Sequence, residues 1–320
     1  MDSIIQHPWG IQIEPTEGCT RRCRFCGLNL QKRKPGDYTF MPLVMVKKIA
    51  EDAYALNPNI RIELAMHGEP LKHPQIEDFI YILRRRFSKT QIQLTTNGNP
   101  IMGKMKERIR KLFKAGLDIL VVDTYKPERD RLQKELKTLV GTFEVVDFYK
   151  DWAPNGISPW NNYKRKFWGT VVILDDISLH NKERGNRILS NHNGGNLDMP
   201  VPESPVEKMC TIPFRGISVC ADGNVPICCE DFGNDYICGN VWKKSLSDIW
   251  YGNRFRAARR FIRNKMRHFS PCIRCTDGSG SRCGLVPKYP MPNLKDMELV
   301  NKVVFEGHSK NKMFKPEVLE

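Results

Sequence analysis

Three cysteines lie within eight residues near the N-terminus, in the stretch EGCTRRCRFCGL. Cys19, Cys23 and Cys26 are spaced closely enough for one loop to wrap a compact inorganic cluster. Three thiolates on a cluster of four irons keep one iron open to an outside ligand, and an open coordination position is typical of a reactive metal site. Intervening arginines would offset the thiolate charge and help to keep the thiols deprotonated: Arg21, Arg22 and Arg24.

The remaining eight cysteines form a second group, separated from the first by more than 180 residues without cysteine. They are Cys210, Cys220, Cys228, Cys229, Cys238, Cys272, Cys275 and Cys283. An odd total of eleven, tight spacing and an N-terminus without signal-peptide features argue against a disulfide framework. Thiols gathered in a reducing compartment favour iron–sulfur clusters or zinc. We therefore expect a cytoplasmic location.

Strand-like and helix-like segments alternate through the first half of the chain. The strand-like segments are 10–15, 60–66, 91–98, 117–125, 142–149 and 169–176. Helix-like segments lie between them at 41–56, 75–87, 104–116 and 127–140, and the third closes at Gly116, a typical C-cap. Repeated strand–helix units predict a parallel sheet, because parallel strands need long crossovers. We expect an α/β fold, a partial (β/α)6 TIM-like barrel, with a doubly wound open sheet as the alternative.

Polar motifs follow three of the predicted strands. The cysteine loop follows the first strand, HGEP at 67–70 follows the second, and TTNG at 95–98 ends the third. The C-terminal ends of parallel strands lie at the same edge of a sheet. All three motifs are therefore expected on one rim, where α/β folds carry their reactive groups.

The motif CTRRCRFC, in the loop after the first predicted strand, resembles the Cys-x3-Cys-x-aromatic-Cys hallmark of radical S-adenosylmethionine (radical SAM) enzymes. The resemblance implies a 4Fe-4S cluster on Cys19, Cys23 and Cys26 whose open iron binds SAM. It also implies reductive cleavage of SAM to a 5′-deoxyadenosyl radical that abstracts a hydrogen atom from the substrate, with an electron donor such as flavodoxin or ferredoxin. Phe25 would present its ring to the bound nucleoside. A zinc knuckle lacking one ligand is the alternative.

Two further motifs resemble the segments with which this family contacts SAM. In AMHGEP (65–70), Gly68 would offer its backbone and Glu69 its carboxylate to the SAM ammonium group, since a buried cation needs an acceptor. Thr96 and Asn97 in TTNG are candidates for ribose or substrate contacts, and a simple turn is the alternative. Weaker candidates are Asp123, Asn191 and His192.

The segment 210–250, followed by CIRC at 272–275, resembles the SPASM/twitch extensions of radical SAM enzymes. The matching positions imply ligands for one auxiliary 4Fe-4S cluster: Cys210, Cys228, Cys272 and Cys275. Four thiolates would close every iron, so this cluster would transfer electrons rather than bind SAM. Zinc is the chemical alternative. A two-cluster extension has a longer cysteine series than this chain, so we expect one auxiliary cluster. Four cysteines are then unassigned, either as buried thiols or as parts of a second site: Cys220, Cys229, Cys238 and Cys283.

We expect three parts along the chain: a radical SAM partial barrel (1–196), a SPASM/twitch auxiliary-cluster domain (197–290) and a C-terminal tail (291–320). No apolar run approaches the length of about 18 residues that spans a membrane, so no membrane partner is expected.

The net charge of +15 and the aromatic, basic loop 149–168 favour an anionic substrate, because basic grooves attract phosphates and aromatic rings stack on bases. A lid whose tryptophans pack into the core is the alternative interpretation of this loop. Many radical SAM enzymes with this extension modify peptides. We therefore expect a radical SAM oxidoreductase or isomerase acting on a peptide, or on a modified nucleotide or nucleic acid. The alternative is a nucleic-acid-binding protein that uses iron–sulfur or zinc sites as staples without SAM chemistry.

Overall fold

The structure is a computed structural model that describes residues 7–23, 26–30, 36–156, 169–175, 205, 207–275 and 291–300. Its strands are β1 (Gly10–Ile13), β2 (Thr16–Glu17), β3 (Thr39–Phe40), β4 (Arg61–Leu64), β5 (Ile92–Thr96), β6 (Ile119–Thr124), β7 (Glu144–Asp147), β8 (Thr170–Asp175), β9 (Gly216–Val219), β10 (Asn224–Pro226) and β11 (Ile237–Asn240). Its helices are α1 (Leu43–Leu56), α2 (Ile76–Arg86), α3 (Met105–Ala115), α4 (Arg129–Lys137), α5 (Ile212–Arg215), α6 (Leu246–Trp250) and α7 (Asn253–Arg263).

Seven strands form one sheet in the order β7-β8-β6-β5-β4-β1-β9, and every pairing within it is parallel. Within the described residues, β7 and β9 are its two edges and the sheet does not close. The expected α/β fold with a partial barrel is confirmed.

Two features of the sheet are absent from the sequence prediction. β8 lies between β6 and β7, so the last two strands of the predicted series exchange their order. β9, from the cysteine-rich segment, pairs with β1 in the register Gly10↔Gly216 to Ile13↔Val219. The four residues of β9 are too few to show the alternation of apolar and polar residues that predicts a strand. Their strand conformation depends on the parallel pairing with β1.

The outer face of the sheet is apolar and is covered by helices. Ile62 and Leu64 of β4 and Leu94 of β5 are fully buried in a core that also contains Ile49 of α1 and Phe79 of α2. α3 ends at Gly116, whose φ of +110° is the left-handed cap that the sequence predicts. Alternation along the strands therefore sends one set of side chains to the helices and the other set to the concave face.

The concave face of the sheet has a polar half and an apolar half. On the polar half, Arg61 donates hydrogen bonds to Gln91 (3.0 Å), to Glu63 (3.0 Å) and to Gln93. On the apolar half, Ile119, Val121, Val146 and Val172 pack around Trp152, which is 6% exposed. The barrel interior thus offers hydrogen-bonding groups on one side and an apolar wall on the other.

The cysteine-rich segment continues the same core. β10 and β11 form an antiparallel hairpin, followed by α6 and α7. Trp250 and Phe255 are fully buried, and the guanidinium of Arg259 lies 3.8 Å from the centre of the Trp250 ring. No helix within the described ranges has both the length and the apolar composition needed to cross a membrane.

Candidate active site

The N-terminal cysteine loop is attached to the rim of the sheet through two glycines. Gly18, just before the first cysteine, donates its N–H to the His67 carbonyl (3.3 Å) and accepts from the Glu69 N–H (2.9 Å). A Cβ atom on Gly68 would lie 1.9 Å from the Thr16 carbonyl oxygen, a distance no side chain tolerates. Gly68 is therefore required for the close approach of the HGEP segment to the cysteine loop.

Glu69 joins the HGEP segment to the TTNG segment. Its carboxylate is 1% exposed and accepts from the N–H of Leu71 (2.9 Å), the hydroxyl of Thr96 (2.7 Å) and the N–H of Asn97 (2.9 Å). Burial raises the pKa of Glu69 above its ordinary value, while these hydrogen bonds act in the opposite direction. The motifs predicted on one rim are thus in direct contact.

Asn97 lies against the first cysteine. Its side-chain N–H donates to Cys19 Sγ (3.4 Å) and to Thr20 Oγ1 (3.3 Å). The backbone N–H of Arg21 also donates to Cys19 Sγ (3.4 Å). Asn97, expected only to contact ribose or substrate, is therefore also a hydrogen-bond donor to a candidate cluster ligand.

The three thiols are half-buried and influence one another's titration. Burial, followed by the nearby Cys23 and Cys19, raises the pKa of the Cys26 thiol to about 11. Burial also raises the pKa of Cys19, with further contributions from Glu69 and Cys23. Three mutually close sulfur donors, which become thiolates when a metal binds, fit an iron–sulfur cluster held by these cysteines. Phe25 lies outside the described residues, as do Asn191 and His192.

Arg21 ties the cysteine loop to the segment after β6. Its guanidinium pairs with Glu128 (2.5 Å), donates to the Lys126 carbonyl and lies 5.5 Å from the centre of the Tyr125 ring. Tyr125 donates its hydroxyl to Asp123 (3.1 Å), and burial raises its pKa, with Asp123, Cys23 and Cys26 adding to the effect. Sequence analysis identified Asp123 but not Tyr125 or Glu128. Their position just after a predicted rim strand was the available signal.

The four predicted auxiliary ligands come together in the C-terminal region. Burial raises the pKa of Cys228 well above its ordinary value, and Cys272 and Cys210 are among the groups that raise it further. Burial does the same for Cys272, with Cys275 as the next largest cause. Cys210 and Cys272 are each 7% exposed and belong to the hydrophobic core. Four thiols that come together, two of them buried and two half-buried, fit a second cluster with every iron closed.

Two of the other cysteines, Cys220 and Cys238, are separate from this group of four, whereas Cys229 is next to Cys228 and adds to its raised pKa. Cys220 (3% exposed) and Cys238 (8% exposed) are buried. Cys229 faces the barrel interior, where its thiol lies 3.8 Å from the Glu230 carboxylate. Cys283 lies outside the described residues.

The two cysteine regions meet at Phe232. Its ring packs against His67 at 4.2 Å between centroids, with the two planes tilted by 32°. A Cβ atom on Gly27 would lie 2.4 Å from the same ring. His67 Nε2 also lies 2.7 Å from the Cys229 carbonyl oxygen. Glu230 is close enough to contribute to the raised pKa of Cys26. The segment 229–232 therefore connects the auxiliary cysteines to the N-terminal cysteine loop.

A cavity of about 270 Å³ lies on the polar half of the concave face. Its polar lining includes Gln12, Arg61, Glu63, Ser218, Cys229 and Glu230. Of the aromatic residues predicted in loop 149–168, Tyr149 and Trp152 are within the described residues. Trp152 packs into the apolar half of the interior, as the lid interpretation expects, and its ring is not exposed for stacking on a base.

Comparisons with known proteins agree with these motifs and the fold. The profile of the radical SAM superfamily matches residues 13–163, and that of an iron–sulfur cluster-binding domain, SPASM, matches residues 210–276.

Two curated relatives cover most of the chain. An S-adenosyl-L-methionine-dependent 2-deoxy-scyllo-inosamine dehydrogenase from Niallia circulans is 25% identical over 84% of this chain and 93% of its own. A tungsten-containing aldehyde ferredoxin oxidoreductase cofactor-modifying protein from Pyrococcus furiosus is 22% identical over 83% of this chain and 86% of its own. The fold is shared with a crystal structure of BtrN in complex with AdoMet and 2-DOIA, which has a TM-score of 0.66 and 22% identity and covers 87% of this chain and 95% of that one. The chain belongs to the radical SAM superfamily and is an enzyme with oxidoreductase-type chemistry that uses SAM and 4Fe-4S clusters and carries a C-terminal SPASM domain.

Proposed function

We propose that this enzyme oxidises a small, hydroxyl-bearing molecule held in the cavity on the polar half of the barrel interior. The observation that carries the proposal is the cavity itself, whose volume of about 270 Å³ suits a small molecule and whose lining is rich in hydrogen-bonding groups. The relative named for 2-deoxy-scyllo-inosamine supports the same substrate class, because the match covers 93% of its length.

The cysteines are assigned on position and mutual proximity. Cys19, Cys23 and Cys26 would hold the SAM-binding 4Fe-4S cluster, and Cys210, Cys228, Cys272 and Cys275 would hold one auxiliary 4Fe-4S cluster. When bound, these groups supply the 5′-deoxyadenosyl radical that takes a hydrogen atom from the substrate and an acceptor for the remaining electron.

The SAM nucleoside and amino acid would be bound by the rim. Glu69 uses three acceptor positions within the protein, and a carboxylate has about four, so one position is left for the SAM ammonium group. Gly68, Thr96 and Asn97 lie on the same rim and would also contact SAM. Phe25 is the remaining predicted SAM contact.

Within the cavity, two carboxylates have different roles. Glu63 is paired with Arg61 (3.0 Å) and would offer a carboxylate oxygen to a substrate hydroxyl or ammonium group. Glu230 lies between the cavity and Cys26, where it can take the hydroxyl proton as the substrate carbon becomes a carbonyl.

The test uses the anoxically reconstituted holoenzyme with a panel of small polyols and amino-cyclitols deuterated at the hydroxyl-bearing carbons. We expect deuterium in 5′-deoxyadenosine together with a carbonyl product. Glu230→Gln should lower product formation by at least about tenfold while SAM cleavage without substrate is retained. Glu51→Gln, on the exposed face of α1, is the matched control. Normal turnover by Glu230→Gln, or deuterium transfer from none of the panel, would contradict the proposal.

A second candidate substrate is the peptide or modified nucleotide expected from the sequence, and the net charge of +15 favours an anionic molecule among these. Binding of a nucleic acid would weaken steeply with salt, whereas turnover of a small neutral molecule would not. Reduction by flavodoxin or ferredoxin is proposed from the cysteine chemistry and is tested by the same assay with either protein as electron donor. A cytoplasmic location is proposed on the same ground and is tested by cell fractionation.

A further inference from the structure

A buried group of three potential metal ligands lies outside the cysteine sites described above. Glu14, His67 and Cys220 each offer one ligand atom, and the three atoms lie within 4.8 Å of one another. All three residues are at most 3% exposed. They come from three different places: the residue after β1, the rim segment after β4 and the residue after β9.

The hydrogen bonding of His67 leaves one ring nitrogen available to a metal. His67 Nε2 lies 2.7 Å from the Cys229 carbonyl oxygen, and because a carbonyl can only accept, Nε2 must carry the proton. The other nitrogen, Nδ1, lies 3.9 Å from Glu14 Oε1. A metal-bound histidine almost always donates its second ring N–H to a carbonyl or carboxylate in this way.

The acceptor arrangement around Glu14 also favours a cation. Each of its carboxylate oxygens accepts one backbone N–H, from His67 (2.9 Å) and from Ala221 (2.9 Å). Burial raises the pKa of Glu14 to about 8, and the charged groups that contribute, Glu17 and Asp222, are both acidic. His67 Nδ1 and Glu14 Oε1 thus face each other 3.9 Å apart, beside the Cys220 thiol.

The donor set is chemically matched to a borderline divalent metal ion. Carboxylate, neutral imidazole and thiolate donors occur together in zinc sites, and two of the three carry a negative charge that would balance a divalent cation. A fourth donor is close by, because the Asn234 side-chain oxygen lies 3.5 Å from Cys220 Sγ. We propose that Glu14, His67 and Cys220 form a mononuclear site for a divalent cation of the Zn²⁺ class, distinct from both iron–sulfur clusters.

Such a site would connect the two halves of the molecule. Glu14 belongs to the barrel, Cys220 to the SPASM segment, and His67 precedes Gly68 and Glu69 of the SAM-binding rim. The ion would hold the rim against the segment that carries Cys228 and Cys229. It also accounts for Cys220 among the cysteines left over from the two clusters.

The experiment measures zinc and iron in the holoenzyme purified anoxically from cells supplied with Zn²⁺. We expect about one zinc per chain in the wild type and in Cys238→Ser, which alters a buried thiol outside the trio. Cys220→Ser and His67→Ala should each lower zinc by at least about fivefold. Zinc K-edge absorption of the wild type should show one sulfur at about 2.3 Å with nitrogen and oxygen at about 2.0 Å.

Three outcomes would overturn the proposal. The first is wild-type protein with less than about a tenth of a zinc per chain. The second is equal zinc in Cys220→Ser and Cys238→Ser. The third is a zinc shell made mainly of sulfur, because that would place the ion in a cysteine cluster site. If the variants do not fold, the absorption spectrum of the wild type alone decides the question.

Discussion

The N-terminal cysteine loop and the C-terminal cysteine group offer the same donor atom, but the C-terminal group is the more deeply buried of the two. Cys19, Cys23 and Cys26 are half-buried on a loop at the rim of the sheet. Of the four C-terminal cysteines, Cys210 and Cys272 are buried in the hydrophobic core, whereas Cys228 and Cys275 are half-buried. A cluster that binds SAM needs an accessible iron, whereas a cluster that only transfers electrons can be buried in the protein. We therefore expect the burial of the ligands, as well as their number, to set the role of each site.

The largest expected effect comes from removing one of the three rim ligands. Cys23→Ala should lower 5′-deoxyadenosine formation by more than about a hundredfold, because loss of a ligand costs more than loss of an outer partner. Iron should fall by about four per chain, with the auxiliary iron retained. Cys238→Ala is the control, since this buried thiol lies outside both groups. Wild-type SAM cleavage by Cys23→Ala would remove the distinction between the two regions.

Removing a buried ligand should separate the two activities. In Cys272→Ala we expect SAM cleavage without substrate to stay within about threefold of the wild type, because the rim ligands are intact. Product formation should fall at least about tenfold, since the remaining electron loses its acceptor. The ratio of product to 5′-deoxyadenosine measures this uncoupling. An unchanged ratio would mean that the C-terminal cysteines serve only stability.

The hydrogen bond on Cys19 offers a finer test of the rim site. Asn97→Ala removes the 3.4 Å N–H···S contact, which should lower the reduction potential of the cluster and slow SAM cleavage by about tenfold. A redox titration followed by EPR measures the potential. Asn155→Ala changes an asparagine in an exposed turn and should leave both quantities unchanged. Equal potentials in the two variants would assign Asn97 no influence on the cluster.

The smallest effect is expected at the junction between the cysteine loop and the segment after β6. Arg21→Ala removes a partly exposed ion pair with Glu128, and such a pair contributes up to about 1 kcal/mol, roughly fivefold in rate. Iron release to a chelator should therefore be about two- to fivefold faster in Arg21→Ala than in the wild type. Arg22→Ala, on an exposed side chain of the same loop, is the matched control. Equal rates of iron release from Arg21→Ala and Arg22→Ala would show that the Arg21–Glu128 pair does not stabilise the cysteine loop.

Local structure was largely predictable from the sequence. The predicted helix at 104–116 is α3 with its cap at Gly116, and the predicted strands at 60–66 and 117–125 are β4 and β6. The order of β7 and β8 was not predictable, because both crossovers satisfy the same local pattern. β9 was missed, since a four-residue strand depends on its partner more than on its own composition.

Part of the candidate site was also predictable, because Cys19, Cys23 and Cys26 lie in one short loop and their spacing is fixed by the order of residues along the chain. The sequence by itself determined the spacing of the cysteines that we propose as iron ligands, and it placed the motifs after strands that pair in parallel. Only the tertiary structure decided that Asn97 donates to Cys19 and that Phe232 packs against His67. It alone brought Glu14 to Ala221, 207 residues away in the chain. Contacts over such separations depend on strand order and core packing, whereas caps, turns and ligand spacing are set within a few residues of the chain.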